Sequence, residues 1–369
     1  MSKARELAEL GAVYDSGALS NRNMIINGGM QVAQRGNFTI TTSGSAEYGG
    51  PDRYFMWSYT GTEQVVADIS QATDVPSGQG FAYSYKVDVT TAESAVAADE
   101  ALLISQYIEA QNVQQLEYGT SSAKDVTVSF WIKSTKTGTY CFSLNQPDAN
   151  RVYVKEYTVD ASNTWEKKII TIPGDASGTI NNDNGRGLWL QWVLMAGSAR
   201  QGTADNWRGD PFDLATSNQV NAVDSASNNI YLTGVQLELG TEATPFEHRS
   251  FGQERTLCHR YFQRLTGDEG GGNDGGFMNG AIWNSTDFYG SVHHITSMRT
   301  EPTLSFSAIG DIRVYAGGVA DAASSFSKTG GTNSYTEINF GGLGNTAGRG
   351  AWVRIDGGTS NFADFDSEL

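Results

Sequence analysis

Short runs in which every second residue is apolar dominate the first two thirds of the chain. In VTVSFWIKS, residues Val126–Ser134, every second side chain is apolar, and most of those between them are polar. This is the pattern of a strand with one buried face. Breakers rich in Gly, Asn, Asp and Ser, such as QPDANR and NNDNGRG, separate the runs. Many short strands without interleaved helices favour a β-sandwich or jelly roll. The predicted strands are Gln64–Ser70, Ala82–Val89, Val126–Ser134, Thr139–Leu144, Arg151–Val159, Glu166–Ile172, Leu188–Met195 and Ile230–Leu239.

Three stretches of the same region are less regular. MIINGGMQVAQRG, from Met24 onward, is a β-type run with a turn predicted at Asn27-Gly28-Gly29. Residues Ile104–Leu116 fit a helix or a strand, and the pattern leaves both open. In LWLQWVLM, Trp189 and Trp192 fall on opposite faces of the strand, so one of them is expected to face solvent or a ligand.

The composition changes after Leu265. Residues 267–369 hold 20 of the 43 glycines and are poor in apolar side chains. This region predicts a second all-β unit with long glycine loops and a small core, which oligomerisation would reinforce. Its predicted strands are Phe277–Trp283, Tyr289–His294, Thr303–Ala308, Ile312–Tyr315, Tyr335–Phe340 and Trp352–Ile355.

The length of 369 residues predicts two domains, and the net charge of −16 disfavours nucleic acid and anionic membranes as partners. At the N-terminus, Ala4–Val13 has helical spacing but is too short to be a stable helix alone. There is no apolar signal-peptide core and no stretch of about 20 apolar residues that would insert into a membrane. Cys141 and Cys258 lie in separate predicted elements, so we expect two buried thiols without a disulfide.

Four residues of the sandwich are candidates for a sugar-binding surface. Trp207 lies in the polar loop GTADNWRGDPFD, where an indole either stacks on a sugar ring or folds back to cap the sandwich edge. Trp189 and Gln191 share one strand face, and Tyr153 lies on a predicted neighbouring strand. Together these residues would line a concave sugar-binding surface or would be core and subunit-contact side chains.

A second group of candidates lies in the glycine-rich region. Trp283 and Tyr289 stand among polar residues whose side chains suit sugar hydroxyls. The pair His293-His294 would indicate a metal only if carboxylates converged on it, and no spacing requires that. No phosphate loop, serine-hydrolase elbow or metalloprotease motif is present, so neither a cofactor nor a catalytic residue is predicted.

Five segments in a fixed order carry a resemblance to a known group of proteins. They are NRNMIINGGMQVAQRG, VSFWIKSTKTGTYCFSL, SNTWEKKIITIPGD, YLTGVQLELGTEATPFEHRSFGQERTLCHRYFQR and SMRTEPTLSF. The set resembles tail-fibre and tail-associated virion proteins of tailed bacteriophages, and the middle portion resembles a carbohydrate-binding-module jelly roll. Many such modules carry an Asp for calcium in the closing strand, whereas this strand has Gly234 and Gln236. We therefore expect no calcium there.

The resemblance implies an all-β chain with a short N-terminal helix and a short helical connector. Its expected parts are an N-terminal docking segment at 1–20, a jelly roll at 21–248, a helical connector at 249–266 and a distal glycine-rich β domain at 267–369. The implied function is a structural protein of a virion tail, a homotrimeric fibre or adhesion device. It would attach to other tail proteins and recognise host surface polysaccharide. A tail-borne glycan depolymerase and a purely structural tail component are the alternatives.

Overall fold

The computed structural model describes residues 3, 22–41, 44, 46–59, 63–267, 275–356 and 360–369. The helix predicted at Ala4–Val13 lies outside the described residues. The chain divides into a first unit, Met1–Glu254 with Leu369, and a second unit, Arg255–Glu368, so the division falls inside the predicted connector. Among the described residues, no helix has the length and apolar character that a membrane span requires.

The first unit is a sandwich of two antiparallel sheets. One sheet has the strand order β1-β4-β5-β13-β7-β10, and the other has the order β12-β9-β8-β11-β6-β3-β2. The strands are β1 Phe38–Ile40, β2 Ala46–Tyr48, β3 Phe55–Ser58, β4 Val66–Ala72, β5 Ser84–Thr91, β6 Ala101–Glu109, β7 Val126–Ser134, β8 Gly138–Gln146, β9 Arg151–Val159, β10 Glu166–Ile172, β11 Arg186–Ala196, β12 Trp207–Arg208 and β13 Asn229–Leu239. Short 3-10 helices follow β6, β8 and β11 at Ala110–Leu116, Pro147–Ala149 and Ser198–Arg200.

Alternation along the strands builds the core between these sheets. Phe130 of β7 and Trp192 of β11 point inward and meet with ring centroids 5.8 Å apart. Trp189 lies on the other face of β11, as the sequence predicted. The predicted all-β class, with a jelly-roll sandwich followed by a second β unit, is confirmed.

The ambiguous stretch Ile104–Leu116 is a strand that runs into a 3-10 helix. β6 is central between β11 and β3, and all nine of its residues are buried. A central strand loses its periodic pattern because both faces are covered, which explains why the sequence left the choice open.

The β-type run predicted from Met24 is wrong, because the structure has no strand between residues 22 and 35. The predicted turn at Asn27-Gly28-Gly29 is present, and side-chain bonds replace the strand ladder. Asn27 Oδ1 accepts from Val32 N at 3.0 Å, and Asn27 Nδ2 donates to the backbone oxygens of Val32 and Asp52. The result is an irregular segment held by side-chain bonds to its backbone.

Long-range bonds tie this segment to the end of the first unit. Asn23 N donates to Glu247 Oε2 at 2.9 Å, and Arg249 donates to the backbone oxygens of Asn23 and Ile25. Asn27 N donates to the buried carboxylate of Glu254. We call Asn23, Asn27, Glu247, Arg249 and Glu254 the closing network.

The second unit has a seven-stranded antiparallel sheet of order β19-β18-β22-β15-β16-β21-β20 and a three-stranded sheet of order β14-β23-β17. A separate small core, which includes Phe288, Val353 and Phe340, lies beneath the larger sheet. The strands are β14 Phe262–Thr266, β15 Gly275–Ile282, β16 Phe288–His293, β17 Thr303–Phe306, β18 Ile312–Ala316, β19 Val319–Ala322, β20 Ser325–Gly331, β21 Tyr335–Gly341, β22 Gly350–Ile355 and β23 Phe362–Asp366, with a 3-10 helix at Ile309–Asp311.

The predicted helical connector 249–266 is only partly helical. Helix α1 spans Phe251–His259, and its start is a reciprocal cap in which Ser250 Oγ accepts from Gln253 N while Gln253 Oε1 accepts from Ser250 N. The last five residues of the connector, Phe262–Thr266, form β14 and pair with β23. The helix prediction failed for these residues because they pair with β23, which lies about 100 residues later in the sequence.

Candidate functional site

The structure places Tyr153 and Trp207 together, against the core. Trp207 in the edge strand β12 pairs with Tyr153 in β9, and the centroids of their rings are 5.6 Å apart. The indole Nε1 donates to Pro173 O at 2.7 Å, and the half-buried ring packs on the core cluster. Trp207 therefore caps the sandwich edge, the second of its two predicted roles, and the buried Tyr153 offers no surface to a ligand.

Trp189 and Gln191 share the outer face of their sheet, but that face is covered. Trp189 is 9% exposed and Gln191 is 0% exposed. The indole of Trp189 packs on Trp57 and Tyr107 at centroid distances of 5.2 and 5.0 Å, and Gln191 Oε1 accepts from Ser143 Oγ at 2.9 Å. The sequence left two alternatives, an open concave surface and buried core side chains, and these residues of the structure form no open surface.

Two features account for this arrangement. Strand β8 lies between β9 and β11, and the register of the three strands turns Tyr153 toward the core, away from Trp189. In addition, the segment after β12 folds over the outer face. Asn145 Nδ2 donates to Pro211 O at 3.1 Å, and the rings of Tyr59 and Phe212 meet at 6.2 Å.

Beneath this cover lie several polar atoms that have no hydrogen-bond partner among the described residues. They come from neighbouring strands of one sheet face and are the Nε1 atoms of Trp57 and Trp189, Ser105 Oγ, the Tyr107 hydroxyl and Gln191 Nε2. Burial raises the pKa of Tyr59 beside them to about 12, so its hydroxyl stays protonated at neutral pH. This sheet face is polar and aromatic, but the segment after β12 covers it.

In the second unit, by contrast, the two aromatic candidates are open and adjacent. Trp283 is 74% exposed and Tyr289 is 44% exposed, and their ring centroids are 6.1 Å apart. A tight turn presents Trp283: its N donates to Asp287 O, and Asn284 Oδ1 accepts from Asp287 N at 2.9 Å. A hydrogen bond from the Asn284 side chain and a weaker one from Thr286 hold the pKa of the Asp287 carboxyl below its usual range.

A second aromatic pair on the same sheet was missed from the sequence. The rings of Tyr315 and Trp352 stack with centroids 4.5 Å apart and planes 18° apart, and Trp352 is 40% exposed. The guanidinium of Arg354 lies 4.3 Å from the Tyr315 ring centroid. The alternation in GAWVRI, where Ala351, Val353 and Ile355 are buried, contained the signal for an outward Trp352.

Strand register joins these pairs into one surface. Tyr315, Trp352 and Asn279 are opposite one another in register on β18, β22 and β15. Ser291 on β16 and Glu337 on β21 continue the same row. Tyr289 and Asn339 form the next row. We call this surface the exposed face, which comprises Asn279, Trp283, Tyr289, Ser291, Tyr315, Glu337, Asn339 and Trp352.

The exposed face is wide, and the charges on and beside it are balanced. Five adjacent strands cross it, which gives a width of roughly 19 Å at the usual strand spacing. Arg313 and Arg354 share the single carboxylate of Asp356, at 3.1 and 3.0 Å, and Glu337 on the face supplies a second negative charge. Two stacked or edge-packed aromatic pairs with amide and hydroxyl groups between them suit a flat ligand that has apolar faces and polar edges.

The histidine pair does not form a metal site. His293 lies beside Tyr335, whereas His294 turns inward and shares a hydrogen bond of 3.1 Å with Thr336 Oγ1. Burial, with a smaller contribution from His293, lowers the pKa of His294 to about 4. Within the described ranges, no group of three or more His, Cys, Asp or Glu side chains is placed to hold a metal ion.

Comparisons with known proteins give partial likenesses of fold. No family model matches the sequence, and no curated protein matches it. The enzymatically active domain of tailspike protein 4 from bacteriophage CBA120 matches at 13% identity over 59% of this chain and 21% of that chain, with a TM-score of 0.32. This chain thus spans about a fifth of that domain.

Two smaller structures are matched over their whole length. A putative sugar-binding protein from Bacteroides thetaiotaomicron is 11% identical over 59% of this chain and 100% of its own, with a TM-score of 0.33. A family 11 carbohydrate-binding module from Clostridium thermocellum is 14% identical over 57% of this chain and 100% of its own, with a TM-score of 0.28. These likenesses assign no activity to the chain.

Proposed function

We propose that this protein is a glycan-binding attachment protein of a phage tail and that the exposed face of the second unit is its receptor site. The observation that carries the proposal is the placement of two exposed aromatic pairs on one sheet face. Trp283 with Tyr289 and Tyr315 with Trp352 flank a strip of amide and hydroxyl side chains. Large exposed aromatics on a soluble chain mark interaction sites.

The geometry suits a neutral saccharide. A pyranose ring has C–H faces that pack on Trp352 or Tyr289, and its hydroxyls reach Asn279, Ser291 and Asn339 between the rings. The Asn339 amide already donates to Phe288 O at 3.2 Å, so its orientation is fixed before a ligand arrives. The two positive charges of Arg313 and Arg354 are balanced by Asp356 and Glu337, which leaves little net charge to attract or repel the ligand.

Binding without cleavage is the activity this face supports. Glycoside hydrolysis needs two carboxyl groups roughly 5–10 Å apart across the scissile bond. The row contributes Glu337, while the nearby Asp356 is engaged by Arg313 and Arg354. A shallow, open face also gives weak affinity per site. Attachment would then depend on several copies acting together, as in a homotrimer mounted on the tail through its N-terminal segment.

Labelling of host cells and arrayed surface polysaccharides by the full chain tests this proposal. Trp352→Ala and Tyr289→Ala should each reduce labelling about tenfold, the effect of removing a central aromatic contact. The matched control is Phe251→Ala, an aromatic of 52% exposure on helix α1, which should label as the unmodified protein does. Unchanged labelling by both face variants would refute the assignment. Release of reducing sugar from a bound glycan would favour the depolymerase alternative instead.

A further inference from the structure

The first unit contains a cavity of about 440 Å³ on the outer face of its six-stranded sheet. Its volume lies within the range of roughly 300–1,000 Å³ that small-molecule sites occupy. The floor comes from β7, one side from β10 and the walls from two loops distant in sequence, 78–81 and 243–248. It is separate from the covered face around Trp189, which belongs to the other sheet. The side chains that line it are Gln79, Phe81, Ser129, Trp131, Lys167, Thr244, Phe246 and His248.

A bulge in β13 makes room for the aromatic walls. The register between β13 and β7 shifts between Thr233 and Gln236, and Gly234 within the shift has φ of +62°. A Cβ at Gly234 would lie 2.6 Å from Phe81 Cζ and 3.0 Å from Trp131 Cδ1. A glycine is therefore required both by the backbone and by the two rings that approach it.

The outer wall is fixed by buried polar side chains of the same strand. Gln236 Oε1 accepts from Glu247 N at 2.8 Å, and its amide donates to Thr244 O at 3.3 Å. The buried carboxylate of Glu238 accepts from Thr244 N at 3.0 Å. The ring of Phe246 packs on Phe81 at 4.9 Å. The cavity is thus formed in advance of any ligand, which reduces the entropic cost of binding.

Lys167 gives the cavity its charge preference. It is opposite Trp131 in the β10–β7 register, and its ammonium has no hydrogen bond or ion pair to any other described residue. The other lysines of this sheet face are neutralised, since Lys86 pairs with Asp88 and Lys133 pairs with Asp74. In a chain of net charge −16, a cation without a counter-ion beside an aromatic wall favours an anionic ligand.

We propose that this cavity binds an acidic saccharide, with a uronic-acid ring against Trp131 and its carboxylate at the Lys167 ammonium. Trp131, Phe81 and Phe246 offer apolar surface for the sugar C–H groups, while Ser129 and Gln79 meet its hydroxyls. The site is independent of the exposed face, because it lies in the other unit and selects a charged rather than a neutral ligand.

Calorimetric titration of the full chain with digalacturonate and with sodium glucuronate tests this site, with neutral galactobiose as the uncharged comparison. We expect saturable binding of the uronates, at least about tenfold weaker binding of galactobiose, and loss of uronate binding in Trp131→Ala. Lys167→Gln changes an exposed side chain and should fold normally. It should weaken uronate binding about tenfold, the value of one charged hydrogen bond, and remove the preference over galactobiose.

Two controls make the outcome specific. Lys124→Gln removes a lysine of another loop that pairs with Glu117 and should bind uronates unchanged. Trp352→Ala, which tests the exposed face, should also leave uronate affinity unchanged, so the two proposals fail separately. Absence of saturable binding with both uronates, or equal uronate affinity in Lys167→Gln and the unmodified chain, would overturn the assignment.

Discussion

Arg264 and Asp364 face each other in register on β14 and β23 and form a two-pronged ion pair. Arg264 Nε lies 2.7 Å from Asp364 Oδ1, and Nη2 lies 2.6 Å from Oδ2. The guanidinium also lies 3.8 Å from the ring centroid of Phe362. Planar two-point pairing of this kind is stronger than a single contact between exposed charges. It fastens the strand that follows helix α1 to the centre of the three-stranded sheet.

We therefore expect Asp364→Asn to lower the free energy of unfolding of the second unit by about 2 kcal/mol, because a largely buried guanidinium loses its counter-charge. Urea denaturation followed by fluorescence measures the change. The control is Glu117→Gln, which breaks an exposed pair with Lys124 and should cost less than about 0.5 kcal/mol. Equal effects of the two substitutions would show that the pair is no stronger than a surface contact.

The second unit should lose stability as the pH falls from 6.5 toward 4. Burial lowers the pKa of both His259 and His294 to about 4, so the unfolded chain binds more protons than the folded one in this window. Neutral His259 accepts from Arg255 Nε at 3.3 Å, and His294 Nδ1 is buried without a partner among the described residues. Each histidine contributes up to about 1.4 kcal/mol per pH unit.

Urea midpoints between pH 7 and pH 5 report this loss, since most carboxylates stay ionised there. The double variant His259→Gln and His294→Gln should be nearly independent of pH over that interval. A pH dependence as steep as that of the unmodified chain would mean that other groups cause it.

Cys141 should resist alkylation in the folded protein. Burial raises the pKa of its thiol to about 11, despite hydrogen bonds from Thr216, so little thiolate exists at pH 8. Cys258 is also buried, and no disulfide joins the two. Treatment of the native chain with iodoacetamide should leave its intact mass unchanged, whereas treatment in urea should add two labels. Rapid double labelling without urea would contradict the burial of both thiols.

We expect a homotrimer in solution at micromolar concentration. The two edge strands of the seven-stranded sheet, β19 and β20, expose Val319 by 51% and Phe326 by 40%. Apolar side chains on open sheet edges favour contact with another chain. Sedimentation velocity measures the mass directly. A stable monomer would contradict the trimer, and Phe326→Ser should shift the equilibrium toward monomer if β20 lies at the contact.

The local sequence pattern predicted strands correctly where turn-forming residues flank a regular alternation of apolar and polar side chains. The bounds predicted for β7, β9 and β10 match the structure, because turn-forming residues flank each of these strands. The irregular segment around Asn27 did not follow its apolar pattern, because Asn27 bonds the backbone of Val32 and Asp52. A side chain that replaces the strand ladder leaves no periodic signal.

The candidate surfaces depended on strand order, which alternation does not contain. Trp189 and Gln191 were placed on one face correctly, but Tyr153 was assigned to their surface because nothing local reveals that β8 intervenes. The outward position of Trp352 follows from local alternation, but its pairing with Tyr315 does not, because Tyr315 comes from another strand. The cavity beside Trp131 needs two loops that meet only in the folded chain. Such contacts follow from topology rather than from local propensity.

The closing network determines how the first unit would respond to force. Asn23 and Arg249 lie where the chain enters and leaves the sandwich, and their direct bond joins those two points. Tension applied through the chain on either side would be carried first by this bond and by the contact between Asn27 and Glu254. Strand β13 would share the load, because Met24 N donates to Leu237 O at 3.0 Å and Leu237 N donates to Asn23 Oδ1 at 3.1 Å. Force on the chain would thus load one strand and one hydrogen-bonded junction before it reached the remaining strands of the largest core.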